Sequence, residues 1–421
     1  MSQRIILTGA DVFDASGAPP AADLAVVVEG DRIVDLVATS SLPDEGDHLT
    51  IELPAGSTLL PGLIDMHVHL CDWAAPMDIA ADPARLAIHA TANARVTQLS
   101  GITTVRDVGS AFNIGPAVRD AVNRGAVMGS RVVAASRLIC MTGGHGSELG
   151  ANGTFAREAN GPDDCRKAVR EEIKAGVDWI KVALDGARAV PGKRVLEFTQ
   201  PELDAVVDEA HRLGVQVACH IFLPETAAMA IEAGVDTVEH GLELSEENVR
   251  GLADRGIVLI PTIRLPLHII DLGQKMLDMG DYGAQAMRHA EEALPTHAAS
   301  FQRALAAGVT VAAGTDTSSF VGGIDSLVSD LEYMVELGMS PTEALLSATS
   351  VSARTLEKEG EIGTIAAGAL ADILVVEGQP SEDVSALNKV RLVIQDGRVV
   401  VAEPNLAPAL GEALGPEVVA V

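Results

Sequence analysis

Between residues 59 and about 354 the chain repeats one unit, a short and nearly unbroken apolar run followed by an Ala- and Glu-rich stretch with helical spacing. Apolar runs of this kind read as strands buried on both faces, as in a parallel sheet packed between helices. Eight are predicted, at 59–69, 103–107, 131–136, 179–184, 215–220, 237–240, 258–262 and 309–316. Eight βα units predict a closed (β/α)8 TIM barrel. An open doubly wound sheet is the alternative, but the glycine-rich dinucleotide loop expected after its first strand is missing. The two ends follow a different rhythm. Residues 4–12 and 23–37 read as strands with Glu29-Gly30-Asp31-Arg32 as a hairpin corner, and 371–376 and 390–400 read likewise, with a turn at Asp396-Gly397. The expected organisation is a small β-sandwich built from segments 1–58 and 361–421, with the barrel at 59–360 between them.

Composition narrows the function classes. Hydrophobic residues make up 48% of the 421 positions and charged residues 21%, the balance of a globular protein. Fifty-nine acidic against 30 basic residues give a formal net charge of −29, with no block of lysines or arginines. Nucleic acid and anionic membrane are therefore not expected partners. The sequence shows no signal-type h-region and nothing near the ~18 uninterrupted apolar residues of a membrane span, so a soluble cytoplasmic protein is expected. The four cysteines, Cys71, Cys140, Cys165 and Cys219, form no CxxC pair and predict neither disulfides nor a thiolate zinc site.

Candidate chemistry gathers at the C-terminal ends of the predicted strands, where barrel enzymes place their functional groups. His67 and His69 close the first strand two residues apart, so both imidazoles face the same way. Lys181 sits in the fourth strand, His220 ends the fifth, His240 the sixth and Asp316 the eighth. Each has a plain structural reading: a lysine whose amine reaches the barrel mouth, hydrogen-bonded core histidines, a helix N-cap at Asp316. Six such readings would have to coincide at one rim. Two divalent ions about 3.5–4 Å apart also need a bridging anion, and no Asp or Glu stands at the fourth-strand position. A buried lysine favours its neutral amine, which can take up carbon dioxide to form a carbamate with one oxygen for each ion.

Several motifs stand in one order along nearly the whole chain: Pro61-Gly-Leu-Ile-Asp-Met-His-Val-His69, the run 101–109, Thr142-Gly-Gly-His-Gly146, Val238-Glu-His-Gly241, Gly314-Thr-Asp316 and the closing run 363–374. Together they resemble the amidohydrolase superfamily, and most closely its branch of prolidase and imidazolonepropionase-like dipeptidases. The resemblance implies that His67, His69 and Asp316 hold a more buried ion, His220 and His240 a more exposed one, and carboxylated Lys181 bridges them. It implies zinc, although imidazole and carboxylate also accept manganese or cobalt. A water shared by the two ions would be the nucleophile, Asp316 would pass its proton to the leaving amine, and His145 would steady the oxyanion.

The implied substrates are dipeptides or N-acyl amino acids, including Xaa-Pro dipeptides and amide mycotoxins such as ochratoxin, all carrying a free carboxylate. A cationic clamp is expected from Arg188, Lys193, Arg194 or Arg264, with Arg264 the leading candidate. Many relatives carry Tyr or His shortly after the fifth-strand ligand, whereas this chain has Phe222, which removes a hydrogen-bonding group from that position. Arg106 and Asp107 read as a structural ion pair, and Glu239, next to a ligand in its strand, as a packing or supporting residue. Alternatives are a mononuclear cyclic-amide hydrolase of the imidazolonepropionase type, or a non-catalytic scaffold on the same barrel. Relatives are commonly dimers to octamers, so a homo-oligomer is expected.

Overall fold

The computed structural model describes residues 4–42, 48–72, 77–147, 149, 153–186, 195–278, 281–406 and 419–420. The chain divides into two compact units, one of segments 1–65, 96–104 and 334–421, the other of 66–95 and 105–333.

In the first unit, Arg4–Thr8 pairs antiparallel with Leu24–Glu29 and parallel with His48–Glu52, and Leu24–Glu29 continues through a hairpin into Arg32–Ala38. A second sheet runs Val419–Ala420, Arg398–Ala402, Val390–Gln395, Ile373–Glu377, Ser57–Pro61 and Asp11–Val12. Period-two alternation sends Ile5 and Leu7 to one face and Ile6 to the other. Ile5, Leu7, Val26, Ile33 and Ile51 then share one apolar core with Leu59, Ile373, Val375, Leu392 and Ile394 of the second sheet. The strand His48–Glu52 is missing from the sequence reading, because its period is carried by only a few residues beside Gly and Pro turns.

The run 59–69, predicted as one strand, is two. Ser57–Pro61 lies antiparallel to Ile373–Glu377, and a separate strand Leu63–Val68 begins after Gly62. Gly62 marks the break because a Cβ there would lie 2.2 Å from the Thr103 hydroxyl oxygen, which only glycine avoids.

The second unit carries a parallel sheet with interleaved helices. Trp179–Ala183, Gln216–Ile221, Thr237–His240 and Val258–Ile260 pair in parallel and in sequence order, with Ala183 opposite His220 and Ile221 opposite His240. The end of Leu63–Val68, Ile102–Asp107 and Arg131–Ala134 follow the same order in a three-stranded sheet. The expected eighth strand, 309–316, is not a continuous strand. Isolated parallel bridges, Leu259 with Val311 and Val68 with Thr317, hold this segment between the seventh and first strands. Met66 N–H donates to Ala313 O (2.9 Å) and Asp316 N–H to His67 O (2.7 Å). The ladder is interrupted because Asp316, with φ of +54°, leaves extended backbone just where its carboxylate turns inward. Helices follow the strands with clear start signals. Before Glu246–Arg255, Ser245 Oγ accepts from Asn248 N–H (3.1 Å) while the Asn248 side chain accepts from Ser245 N–H (2.9 Å). Among the described residues no helix is long and apolar enough to cross a membrane.

Candidate metal centre

Strand alternation places Lys181 on the same face as Trp179 and Ala183, and parallel register puts His220 and His240 at neighbouring strand ends. His67 and His69 arrive from the end of Leu63–Val68, and Asp316 from the segment beside it. Ligand atoms of His67, His69 and Asp316 lie within 4.8 Å of one another. Asp316 Oδ1 is 3.1 Å from His69 Nε2 and 3.5 Å from His67 Nε2. Lys181 Nζ is also 3.5 Å from His67 Nε2. The far sides of both rings are fixed. His67 Nδ1 is 2.6 Å from Glu239 Oε2, and His69 Nδ1–H donates to Gly109 O at 3.0 Å. Such contacts set the tautomer and leave Nε2 to face the ligand set. Glu239 is itself held by Arg106 Nη2 (2.7 Å) and the Thr237 hydroxyl, while Arg106 Nε donates to Met66 O (2.6 Å) and its guanidinium lies 4.6 Å from the Trp179 ring centroid.

A second group adjoins this trio. His240 Nδ1 is 2.8 Å from Thr262 Oγ1 and 3.8 Å from Asp316 Oδ2. The His220 and His240 rings are 4.5 Å apart, and His145 stacks on His220 at 4.1 Å and 22°. Phe222 packs 4.3 Å from the His220 ring and 5.5 Å from that of His240. His145 N–H donates to Glu197 Oε1 at 2.9 Å. His240, Thr262 and Asp316 all have positive φ, 68°, 44° and 54°, a conformation costing roughly 1–3 kcal/mol each for such residues. Three strained positions at three neighbouring strand ends are a cost borne for orientation.

The electrostatics favour neutral imidazoles around a charged carboxylate. Burial holds His67 and His220 well below the ordinary histidine value, with the charges of Lys181 and His145 respectively adding to it. Burial also takes His240 down to about 3. His69 is raised, because the hydrogen bond and charge of Asp316 together outweigh burial. Burial pushes the Asp316 carboxyl up, but the surrounding histidines outweigh it and hold it below the usual range. Burial lowers the Lys181 amine to about 8, with Glu239 and Asp316 opposing. These residues fit divalent ions. The trio converges three ligand atoms, and His220 Nε2 is buried with no hydrogen-bond partner among the described residues.

A family model for the amidohydrolase family matches residues 58–400. The chain belongs to the amidohydrolase family. It is thus a hydrolase with a mixed α/β fold and a parallel sheet, and its structural neighbours are of the amidohydrolase, TIM-barrel type. Ochratoxinase of Aspergillus niger is 27% identical over 419 residues, covering 91% of this chain and 84% of that protein. The crystal structure of a Xaa-Pro dipeptidase with bound methionine in its active site superposes with a TM-score of 0.84 at 33% identity, covering 94% of this chain and 99% of that one. Imidazolonepropionase of Mycolicibacterium smegmatis is 23% identical over 396 residues, covering 88% of this chain and 89% of that protein.

Within this amidohydrolase the structure brings His67, His69, Lys181, His220, His240, Asp316, His145 and Phe222 into one contiguous cluster. Arg264 instead contacts Asp330 and Asp271. It stands just before the helix Leu265–Leu272 with no side-chain capping bond, its N–H donates to Asp330 Oδ1 (3.1 Å), and its guanidinium stands 3.8 Å from Asp271. Arg188, Lys193 and Arg194 lie outside the described residues. The expected Arg106–Asp107 pair is corrected: successive strand residues face opposite sides, and Arg106 pairs with Glu239 instead. Asp107 is buried apart from it, and burial raises its carboxyl to about 7. Sequence reasoning missed Thr262, Glu197 and the carbonyl of Gly109. Thr262 was signalled by its place at the end of the seventh strand and Gly109 by its place at the end of the run 101–109, whereas nothing local signalled Glu197.

Proposed function

We propose that this amidohydrolase cleaves the amide bond of dipeptides or N-acyl amino acids next to a free carboxylate, using two divalent ions. The observation that carries this reading is the single cluster in which His67, His69 and Asp316 stand beside Lys181 on one side and His240 with His220 on the other. His67, His69 and Asp316 would hold one ion and His220 and His240 the second, with Lys181, as its carbamate, supplying the bridge. When bound, the ions lower the pKa of a water and polarise the scissile carbonyl. Asp316 accepts the proton of the attacking water and delivers it to the leaving amine. His145, held by Glu197 over His220, donates to the oxygen on which charge develops. The neutral rings of His67 and His240 keep their lone pairs available at neutral pH. Around this centre we read an eight-stranded barrel over 59–360 and a β-sandwich from 1–58 and 361–421, in a cytoplasmic homo-oligomer.

Ochratoxinase and a dipeptidase holding a free amino acid among the relatives support a substrate that ends in an amino-acid carboxylate, the product side of such an amide. Arg264 and Arg188 are the proposed sources of the carboxylate clamp, and Phe222 an apolar wall. A panel of Xaa-Xaa dipeptides and N-acyl amino acids, supplied with zinc and bicarbonate and read by released amino acid, tests the proposal. Turnover should fall by most of its value when the substrate carboxylate is blocked as an ester or amide. Equal rates on blocked and free substrates would overturn the carboxylate requirement.

The convergent trio alone also suits a mononuclear enzyme of the imidazolonepropionase type. Full activity with one ion per chain, retained in Lys181→Ala, would favour that second reading.

A further inference from the structure

The ligand segment at the end of the sixth strand is gripped from outside by one helix. The helix Asp281–Ala306 presents His297, Ser300 and Arg303 three residues apart, so the three side chains follow one another along one face. His297 Nε2–H donates to His240 O at 3.0 Å. Ser300 Oγ donates to Gly241 O (2.6 Å) and accepts Leu244 N–H (2.9 Å), and the Arg303 guanidinium donates to Leu244 O. His297 and Ser300 are buried at 2% and 0% exposure. Buried polar side chains at these points exist to satisfy carbonyls that would otherwise be orphaned.

Those carbonyls belong to the backbone that aims a proposed ligand. His240 and Gly241 are consecutive residues in the left-handed region, φ 68° and 61°, where His240 gains nothing from local sterics. Thr262 holds the ring of the same histidine, its Oγ1 lying 2.8 Å from His240 Nδ1. One imidazole outside the cluster thus fixes the backbone that carries His240, while Thr262 orients its ring.

We propose that His297, Ser300 and Arg303 form a positioning ladder that sets the His240 imidazole and thereby governs retention of the ion at His220 and His240. None of the three touches the reacting atoms. The inference rests on the two-ion reading above, and concerns which residues support the second ion.

The test compares full-length wild type, Ser300→Ala, His297→Leu and His297→Gln, each loaded with zinc, dialysed at low zinc and assayed for metal per chain. Cobalt-loaded samples add the visible absorption of the ion environment. In Ser300→Ala and His297→Leu the second ion should bind about 10–100-fold more weakly, as for other groups that orient a metal ligand, while the first ion stays. kcat should fall with little change in KM. His297→Gln, which keeps an N–H donor, should recover most of the affinity and the cobalt spectrum. Wild-type retention of both ions in Ser300→Ala and His297→Leu would overturn the ladder. So would a folded His297→Gln as defective as His297→Leu. Should His297→Leu fail to fold, Ser300→Ala against His297→Gln decides, weakened retention in the first and near-normal retention in the second being required. A wild type that never holds more than one ion would instead defeat the two-ion reading itself.

Discussion

The two halves of the histidine cluster are built differently. In the trio of His67, His69 and Asp316 each ring is fixed from behind, His67 by Glu239 and His69 by the Gly109 carbonyl, and the carboxylate lies within 3.5 Å of both rings. In the pair, His220 Nε2 has no hydrogen-bond partner among the described residues, and Asp185 Oδ1 stands 3.9 Å away. The trio is preorganised and carries negative charge. The pair is two neutral rings, His220 stacked on His145 and His240 held at Nδ1 by Thr262 on a strained backbone. A cation should therefore be held more tightly by the trio, and the pair should exchange first.

The largest expected effect comes from removing the carboxylate that adjoins both halves. Asp316→Asn should lower kcat by about 10²–10⁴-fold, the scale of a lost acid–base group, and should strip the trio's ion as measured by metal content. His220→Ala should abolish turnover but leave one ion bound after dialysis. Loss of both ions in His220→Ala, or equal loss from the two variants, would erase the distinction between the halves.

A smaller effect is expected behind the trio. Glu239→Gln removes the charge that faces His67 and leaves the fully buried Arg106 without its counter-ion. Ion affinity of the trio should fall about 10–100-fold and stability by about 3–5 kcal/mol, read by competition with a chelator and by denaturant unfolding. Unchanged affinity in a destabilised variant would make Glu239 a packing residue only.

Acidification of the chelated protein should give the mildest change. His67, His220, His240 (about 3) and His297 (about 4) have depressed values in the fold, so their contribution is full above the unfolded value near 6.5 and is lost as pH falls below it. His69 and Asp107 (about 7) are raised and oppose this. The chelated protein should therefore lose stability as pH falls from 7 towards 5, with the raised carboxyls of Asp107, Glu172 and Asp330 offsetting part of the loss. A midpoint of denaturation that stays flat from pH 7 to 5 would show that these rings are not buried in neutral form.

Much of this arrangement was legible in the chain because it depends on local period and strand-end position. The parallel strands at Trp179–Ala183, Gln216–Ile221 and Thr237–His240 stand within a residue or two of expectation, and with them Lys181, His220 and His240. What escaped depends on distance in sequence. Arg106 finds Glu239, 133 residues away, and not its neighbour Asp107, because pairing follows which face of the strand a residue occupies. The break at Gly62 is imposed by Thr103, and the irregular segment 309–316 by bonds to Met66, His67 and Leu259. Arg264 follows the seventh strand in sequence, but which way its guanidinium turns depends on Asp271 in the next helix, 3.8 Å away.

The central claim is that both halves must be filled for hydrolysis. Titrating chelated protein with zinc in the presence of bicarbonate, while following amide hydrolysis and bound metal together, tests it most directly. The account predicts little activity after the first equivalent, full activity only after the second, and loss of the second step in Lys181→Ala. Full activity at one equivalent, with Lys181→Ala equally active, would contradict it.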